Sequence, residues 1–231
     1  MELVYPLLAL VAAYLIGSLS FAVIVSRAMG LADPRTYGSH NPGATNVLRS
    51  GSRKAALATL ALDALKGYLP VLAVLVWGPR VGLGNDTAAW VGVAAFVGHV
   101  WPVFFRFQGG KGVATAAGVI FALNPVLGAF TLASFAIVLY FFRYVSLASI
   151  VAALFAPFYQ LLIWGPDTTV VAIALMSLLL VWRHESNIRK LLAGTESKFG
   201  QKAAAPAPPP RGHGHGRGRG RAHGGHGHKH H

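Results

Sequence analysis

Residues 126–142 read VLGAFTLASFAIVLYFF, a run without a single charge that stops against Arg143. Crossing a bilayer takes roughly 20 mostly apolar residues as helix, and fewer where protein shares the burial. Asn124-Pro125 just upstream ends one helix and starts the next. Reading outward, the same texture recurs near 4–28, 54–77, 87–106, 112–123, 147–164 and 168–182, with Gly165-Pro166-Asp167 parting the last two. The expected fold is therefore all-α, a polytopic transmembrane helix bundle of about seven helices. The segment 112–123 is short, and a re-entrant path for it would lower the count to six.

Composition agrees. The chain of 231 residues is 54% hydrophobic and 12% charged, against about 25% charged for a soluble domain. The first 30 residues lack a basic leader and a cleavage site, so the first apolar stretch is expected to be a retained helix. No cysteine is present, which removes disulfides, thiolate metal sites and cysteine nucleophiles.

Charge orients the bundle. One set of connections carries Arg27, Arg35, Arg49, Arg53, Lys54, Arg106, Lys111, Arg143, Arg183, Arg189, Lys190 and Lys198; the other carries Arg80 beside Asp86. The positive-inside rule puts the first set in the cytoplasm. The N-terminus is then outside and the C-terminus inside, which requires an odd number of helices. Residues 1–200 form the expected transmembrane domain. Residues 201–231, rich in Pro, Gly, His and Arg, lack core-forming residues and are expected to be a disordered cytoplasmic tail. Its basic charge suits anionic membrane lipid, and no nucleic-acid partner is expected.

Polar, glycine-rich sequence is confined to the cytoplasmic helix ends. Residues 38–49 read GSHNPGATNVLR. Ser39, Asn41, Thr45, Asn46 and Arg49 supply the hydroxyls, amides and guanidinium that hold a phosphate. Gly109, Gly110, Lys111 and Gly112, followed by Thr115, enter the fourth helix. Glycines let backbone approach an anion, and a helix N-terminus offers free N–H groups. This is not a Walker A loop: Phe105 stands where its first Gly belongs and Gly112 where Ser or Thr belongs. A third segment runs from Arg183 to Glu196. His184 and Asn187 are three apart, so on a helix they share one face; an amphipathic interfacial helix is the plainer reading. Ser146 is read as a helix cap or a ligand donor.

Asp63 and Lys66 sit three apart in apolar sequence, where an internal ion pair is the expected arrangement. His99 is expected to be a core histidine. No GxSxG elbow occurs, and Ile188 breaks an HExxH pattern after His184. The His-x4-Asp pattern of another acyltransferase class is also missing, since Thr45, Phe104 and Arg189 follow five residues after His40, His99 and His184.

Taken together, GSxNPGATNVLR, GGKGVATAAG and the HxxN…GTE stretch resemble the membrane acyl-phosphate:glycerol-3-phosphate acyltransferase family, the PlsY type, over roughly residues 10–200. The resemblance implies acyl transfer from acyl phosphate to the 1-hydroxyl of glycerol 3-phosphate. The products would be lysophosphatidic acid and phosphate, an early step of phospholipid biosynthesis at the inner membrane. No cofactor and no metal is implied. Ser39, Arg49, Lys111, His184 and Asn187 would carry the chemistry, with Asp63, Lys66 and Glu196 supporting. His40 stands where the family usually has Gly, and Glu185 where a basic residue is common. A phosphate transporter would instead place its donors near mid-membrane on broken repeats, and no repeat is evident.

Overall fold

A computed structural model describes residues 3–200; the expected tail and the domain boundary at 201 lie outside the described residues. The described residues form ten α-helices: α1 (Val4–Gly17), α2 (Phe21–Ala28), α3 (Ala44–Val47), α4 (Arg53–Trp77), α5 (Asn85–Val100), α6 (Val113–Leu123), α7 (Pro125–Phe142), α8 (Val145–Trp164), α9 (Thr168–Arg183) and α10 (Glu185–Leu192). No strand occurs among the described residues. Helices α4, α7 and α8 are each long and apolar enough to cross a bilayer, and α5 is so together with the 3-10 turn Val103–Phe105 that follows it. The pairs α1–α2 and α9–α10 pass the same test together, but bend by 43° and 58°. Helix α6 is the short apolar piece.

Helix starts follow local chemistry. Pro125 opens α7 behind Asn124, whose Oδ1 accepts from the N–H groups of Val126 and Leu127 at 3.0 and 3.1 Å. Ser52 caps α4 and Asp167 caps α9 in the same manner. Ser146 is not a cap: Tyr144 holds the N-cap position of α8, with no side-chain bond.

Two expected helices end early. The stretch 87–106 leaves the helix at Val100, because Pro102 cannot continue it. The stretch 4–28 breaks at Ser18–Ser20. A broken helix at membrane depth must satisfy its freed carbonyls within the protein. Ser18 Oγ donates to Tyr14 O at 2.8 Å, and Lys66 Nζ donates to Leu19 O at 2.7 Å. That second bond explains why a lysine sits in apolar sequence.

Helix α4 runs through the bundle and packs most extensively on α6. Their backbones approach at Gly67 and Gly118, where any Cβ would collide with the Thr115 and Ala64 carbonyls; small residues are the usual means of close helix contact in membranes. Helix α7 buries only Leu127 and Gly128 and turns Leu132, Ile137, Tyr140 and Phe141 outward, as lipid contact requires.

Candidate functional site

The segment 38–49 is a loop built around Asn46. This amide is buried, with Nδ2 donating to Pro34 O at 2.6 Å and Tyr37 O at 3.1 Å. Its Oδ1 accepts from the Ser39 N–H at 3.1 Å. Every polar atom of Asn46 is thus used on the loop, so Asn46 belongs to the scaffold rather than to the phosphate donors. The loop leaves Ser39, Thr45 and Arg49 exposed. Arg49 lies along Gly38, where a Cβ would stand 3.1 Å from its Nη1. Asn41, half-buried, lies across Gly43, where a Cβ would stand 3.0 Å from its Nδ2. His40 adopts a φ of 56°, the left-handed region, which glycine enters without cost. Its ring nitrogen Nδ1 is 2.9 Å from the Arg35 carbonyl, a contact that offsets the strain.

The glycine loop abuts this one. A Cβ on Gly110 would stand 3.1 Å from Pro42 O and would run into the His99 ring. The loop is braced from beneath and behind. The Gly110 N–H donates to His99 O at 3.2 Å. Arg183 donates to Gly109 O at 3.1 Å and to Gly110 O at 3.3 Å. Nothing in the spacing of the sequence marks Arg183 as this brace. Gly112 turns the chain at φ 83° into α6 and places no side chain over the helix end, so the first N–H groups of α6 lack a side-chain cap.

Lys111 projects from this loop to the third segment. Its Nζ donates to Asn187 Oδ1. Asn187 Nδ2 donates to Glu196 Oε1 at 2.7 Å, and Ser146 Oγ donates to the same oxygen at 2.6 Å. Four sequence-nominated residues from distant parts of the chain therefore form one network. Partial burial pushes the Lys111 ammonium down to about 8. Glu196 opposes that shift, while the positive charges of Lys190, Arg183 and Arg49 add to it.

His184 and Asn187 do not share a continuous helix. The chain bends at His184, which ends α9 and opens α10. The buried ring donates from Nδ1 to Leu180 O at 2.8 Å. A carbonyl can only accept, so Nδ1 carries the proton and the neutral ring presents Nε2 as an acceptor.

Below the loops lies a buried polar cluster. Asp63 Oδ1 is 2.8 Å from Lys66 Nζ and 3.7 Å from His99 Nδ1. Thr115 Oγ1 donates to the Asp63 backbone carbonyl at 2.9 Å and is 3.2 Å from His99 Nδ1. Thr115 is wholly buried, so it supports the glycine loop from within and is removed from the phosphate donors. The internal ion pair and the core histidine are both present.

Comparison with known proteins follows this geometry. A family model described as glycerol-3-phosphate acyltransferase matches residues 7–194. A glycerol-3-phosphate acyltransferase of Paraburkholderia phytofirmans is 59% identical over 199 residues, covering 86% of this chain and 93% of that protein. The enzyme of that name from Ralstonia nicotianae is 62% identical over 192 residues, covering 83% and 93%. The crystal structure of PlsY, an integral membrane glycerol 3-phosphate acyltransferase, in its glycerol 3-phosphate form superimposes with a TM-score of 0.79 at 37% identity. It covers 85% of this chain and 96% of PlsY; the lysophosphatidic acid form gives 0.77 at 36%. Two donor-bearing loops that meet at Pro42 and Gly110, with Lys111 joined to Asn187 of α10 on a helical bundle, are thus the framework of a chain that belongs to the glycerol-3-phosphate acyltransferase family.

Proposed function

We propose that the protein transfers an acyl group from acyl phosphate to the 1-hydroxyl of glycerol 3-phosphate, at the cytoplasmic face of the inner membrane. The observation that carries this reading is the meeting of two anion-type loops at Pro42 and Gly110, with Lys111 bridging to Asn187. Two substrates that each carry a phosphate need two such sets of donors. Ser39, Asn41, Thr45 and Arg49 supply one; the backbone of 109–112 with Lys111, Asn187 and Ser146 supplies the other. PlsY, a solved relative, is described in a glycerol 3-phosphate form and a lysophosphatidic acid form, which fits the acceptor and the product.

The acyl chain enters from the bilayer. An apolar cavity of about 450 Å³ lies between Leu60, Ala64 and Tyr68 of α4 and Ala114, Ala117 and Phe121 of α6. It begins three residues past Lys111 and runs along α6 for about 10 Å at 1.5 Å per residue. Ala117→Phe would fill it. The expected result is a rise of about tenfold in KM for a long-chain acyl phosphate, comparable with the cost of overpacking. A smaller rise for a short-chain donor and an unchanged KM for glycerol 3-phosphate complete the expectation. Equal loss with both donors would move the acyl chain elsewhere.

In the reaction the 1-hydroxyl oxygen attacks the acyl carbonyl carbon, and the bond from that carbon to the bridging phosphate oxygen breaks. Phosphate departs with the electron pair. The hydroxyl proton ends on a phosphate, whose second pKa near 6 makes it a competent acceptor. No serine acyl-enzyme is needed, since acyl phosphate is already activated; positioning and charge stabilisation suffice. His184 Nε2, an acceptor in this tautomer, orients the hydroxyl by taking its hydrogen bond. His184→Gln keeps an acceptor but not a base. Turnover should fall by less than about a hundredfold, the lower bound for a lost general base being of that order. Abolished turnover with intact glycerol 3-phosphate binding would instead make His184 the base.

The deciding experiment supplies acyl phosphate and glycerol 3-phosphate to sealed inverted and right-side-out membrane vesicles and follows acylated product. Product formation confined to inverted vesicles is expected. No product in either orientation refutes the reaction, and product confined to right-side-out vesicles refutes the topology.

A further inference from the structure

A second cavity, of about 320 Å³, lies at the far end of the bundle from the two loops. Helix α6 sets the separation. It starts beside Gly112 of the glycine loop and ends at Leu123 on the cavity wall, 11 residues and about 16 Å later. Helices α4 and α8 come to their ends nearby, with Leu75 and Gln160 on the wall; α5, α7 and α9 start there, at Asp86, Asn124 and Asp167. None of these residues takes part in the network around Lys111.

The mouth is acidic and the wall holds an unspent acceptor. Asp86 and Asp167 are exposed, line the same cavity, and have no Lys, Arg or His beside them on it. Neither forms an ion pair among the described residues. Asp167 Oδ1 caps α9 by accepting from the Val170 N–H at 2.9 Å, which accounts for one oxygen of the two carboxylates. Gln160 is only 4% exposed. Its side chain reaches to the rim, where Nε2 donates to Asp167 Oδ2 at 3.2 Å. A carboxylate only accepts, so this bond fixes which end of the amide faces Asp167. The other end, Oε1, is buried without a hydrogen-bond partner among the described residues. A buried acceptor left unpaired is costly, and a ligand that donates to it removes that cost.

Two carboxylates and a carbonyl call for a ligand that donates and is positive. The helix N-termini of α5, α7 and α9 offset about half a charge each, which leaves a small negative balance suited to a single charge. A divalent metal fits less well. No group of three His, Cys, Asp or Glu able to hold one occurs among the described residues, and the cavity has room for about ten waters at about 30 Å³ apiece. A primary ammonium brings three N–H donors to three acceptors, and a short methylene stem would lie on Leu75 and Leu123. We propose that this cavity binds a primary ammonium on a short alkyl stem through Asp86, Asp167 and Gln160 Oε1. The mouth opens at the ends of the membrane helices. The ammonium therefore comes from the headgroup of an ethanolamine phospholipid or from a small free amine, the two sharing one N–H chemistry. The site stands apart from acyl transfer and does not depend on it.

The test titrates ethanolamine and a short-chain phosphatidylethanolamine, separately, against the purified full-length protein in maltoside micelles and a buffer free of primary amines. The readout is the thermal midpoint. A saturable rise is expected with at least one of the two, because a ligand held only by the folded state stabilises it. The lipid saturating at a lower concentration than ethanolamine assigns the site to headgroups; an equal or higher concentration assigns it to free amines. Choline and a short-chain phosphatidylcholine, whose quaternary nitrogen has no N–H, should give no saturable rise. Asp86→Asn removes one charge from the mouth without touching a described hydrogen bond. It should raise the half-saturating concentration by at least about fivefold, the upper scale of an exposed charge pair. Should that variant fold poorly, Asp167→Asn is expected to give the same loss, since Asn also caps a helix. Joining both substitutions should abolish saturation. No saturable rise with either amine overturns the proposal. So does an equal rise with choline, which would show a cation held by charge alone, or a rise with magnesium chloride and none with the amines. Unchanged titration in the double variant would place the amine elsewhere and overturns it as well.

Discussion

Replacing Lys111 with alanine is expected to lower kcat/KM for acyl transfer by at least about thirtyfold, equivalent to roughly 2 kcal/mol of lost electrostatic stabilisation. Two losses combine in this variant. The charge that would face a phosphate disappears, and Asn187 Oδ1 loses the donor that fixes its amide. The loop itself should survive, because Gly109 and Gly110 are held by Arg183 and by His99 through backbone atoms that the substitution does not touch. Wild-type kcat/KM should also fall as pH rises through about 8, where the depressed Lys111 ammonium gives up its proton. The sign follows from burial: the neutral amine is favoured, so charge is present below that pH and lost above it. Bound phosphate dianion would stabilise the ammonium, so the fall should be weaker in kcat, which reports the complex. The residual activity of Lys111→Ala should lack this alkaline limb. Near-normal kcat/KM in the variant, at normal expression, would refute the two-loop site.

What the sequence made legible and what it withheld divide along a physical line. The apolar run 126–142 sets the solvent of the fold, because a segment without charges has few other places to go, and the remaining spans follow by the same texture. The glycines and the lysine at 109–112 announce an anion loop because few other structures need that density of small residues beside a charge. Partnership is another matter. Lys111 and Asn187 are 76 positions apart, and Ser146 and Glu196 are 50; periodicity reports which face a residue occupies, never which distant face meets it. Asn46 and Thr115 read as phosphate donors because their chemistry is right. In the fold their donors are turned inward, to Pro34 and Tyr37 in one case and to the Asp63 carbonyl in the other. The bend at His184 was hidden for a similar reason. A 3.6-residue repeat continues through it in sequence, while the ring's bond to Leu180 O and the 58° turn separate His184 from Asn187. Lys66 shows the converse. Its cost in apolar sequence is legible, yet its reason, the Leu19 carbonyl freed by a break in the first span, depends on a bend that composition does not reveal.

The same lysine gives the largest expected change in stability. Asp63 and Lys66 are both buried, at 3% exposure each, and their charged ends are 2.8 Å apart. Asp63→Ala leaves an ammonium among apolar helices, held by Leu19 O and the Phe21 ring but without its carboxylate partner. Removing one member of a buried pair typically costs about 3–5 kcal/mol, because the remaining charge is uncompensated. The expected outcome is a marked drop in thermal midpoint and in yield of folded protein in detergent. Replacing both members by apolar residues of similar size, Asp63→Leu with Lys66→Met, abolishes the desolvation cost of both ions along with their attraction, and such swaps are often near neutral. The double variant should therefore recover most of the stability that Asp63→Ala loses. It should not recover full activity. Asp63 Oδ1 also faces His99 at 3.7 Å, and His99 O holds the Gly110 N–H, so the glycine loop loses part of its support even where the bundle is restored. A double variant as unstable as Asp63→Ala would show that the pair is not a self-contained unit. A double variant with full activity would show that the cluster beneath the glycine loop does not position it.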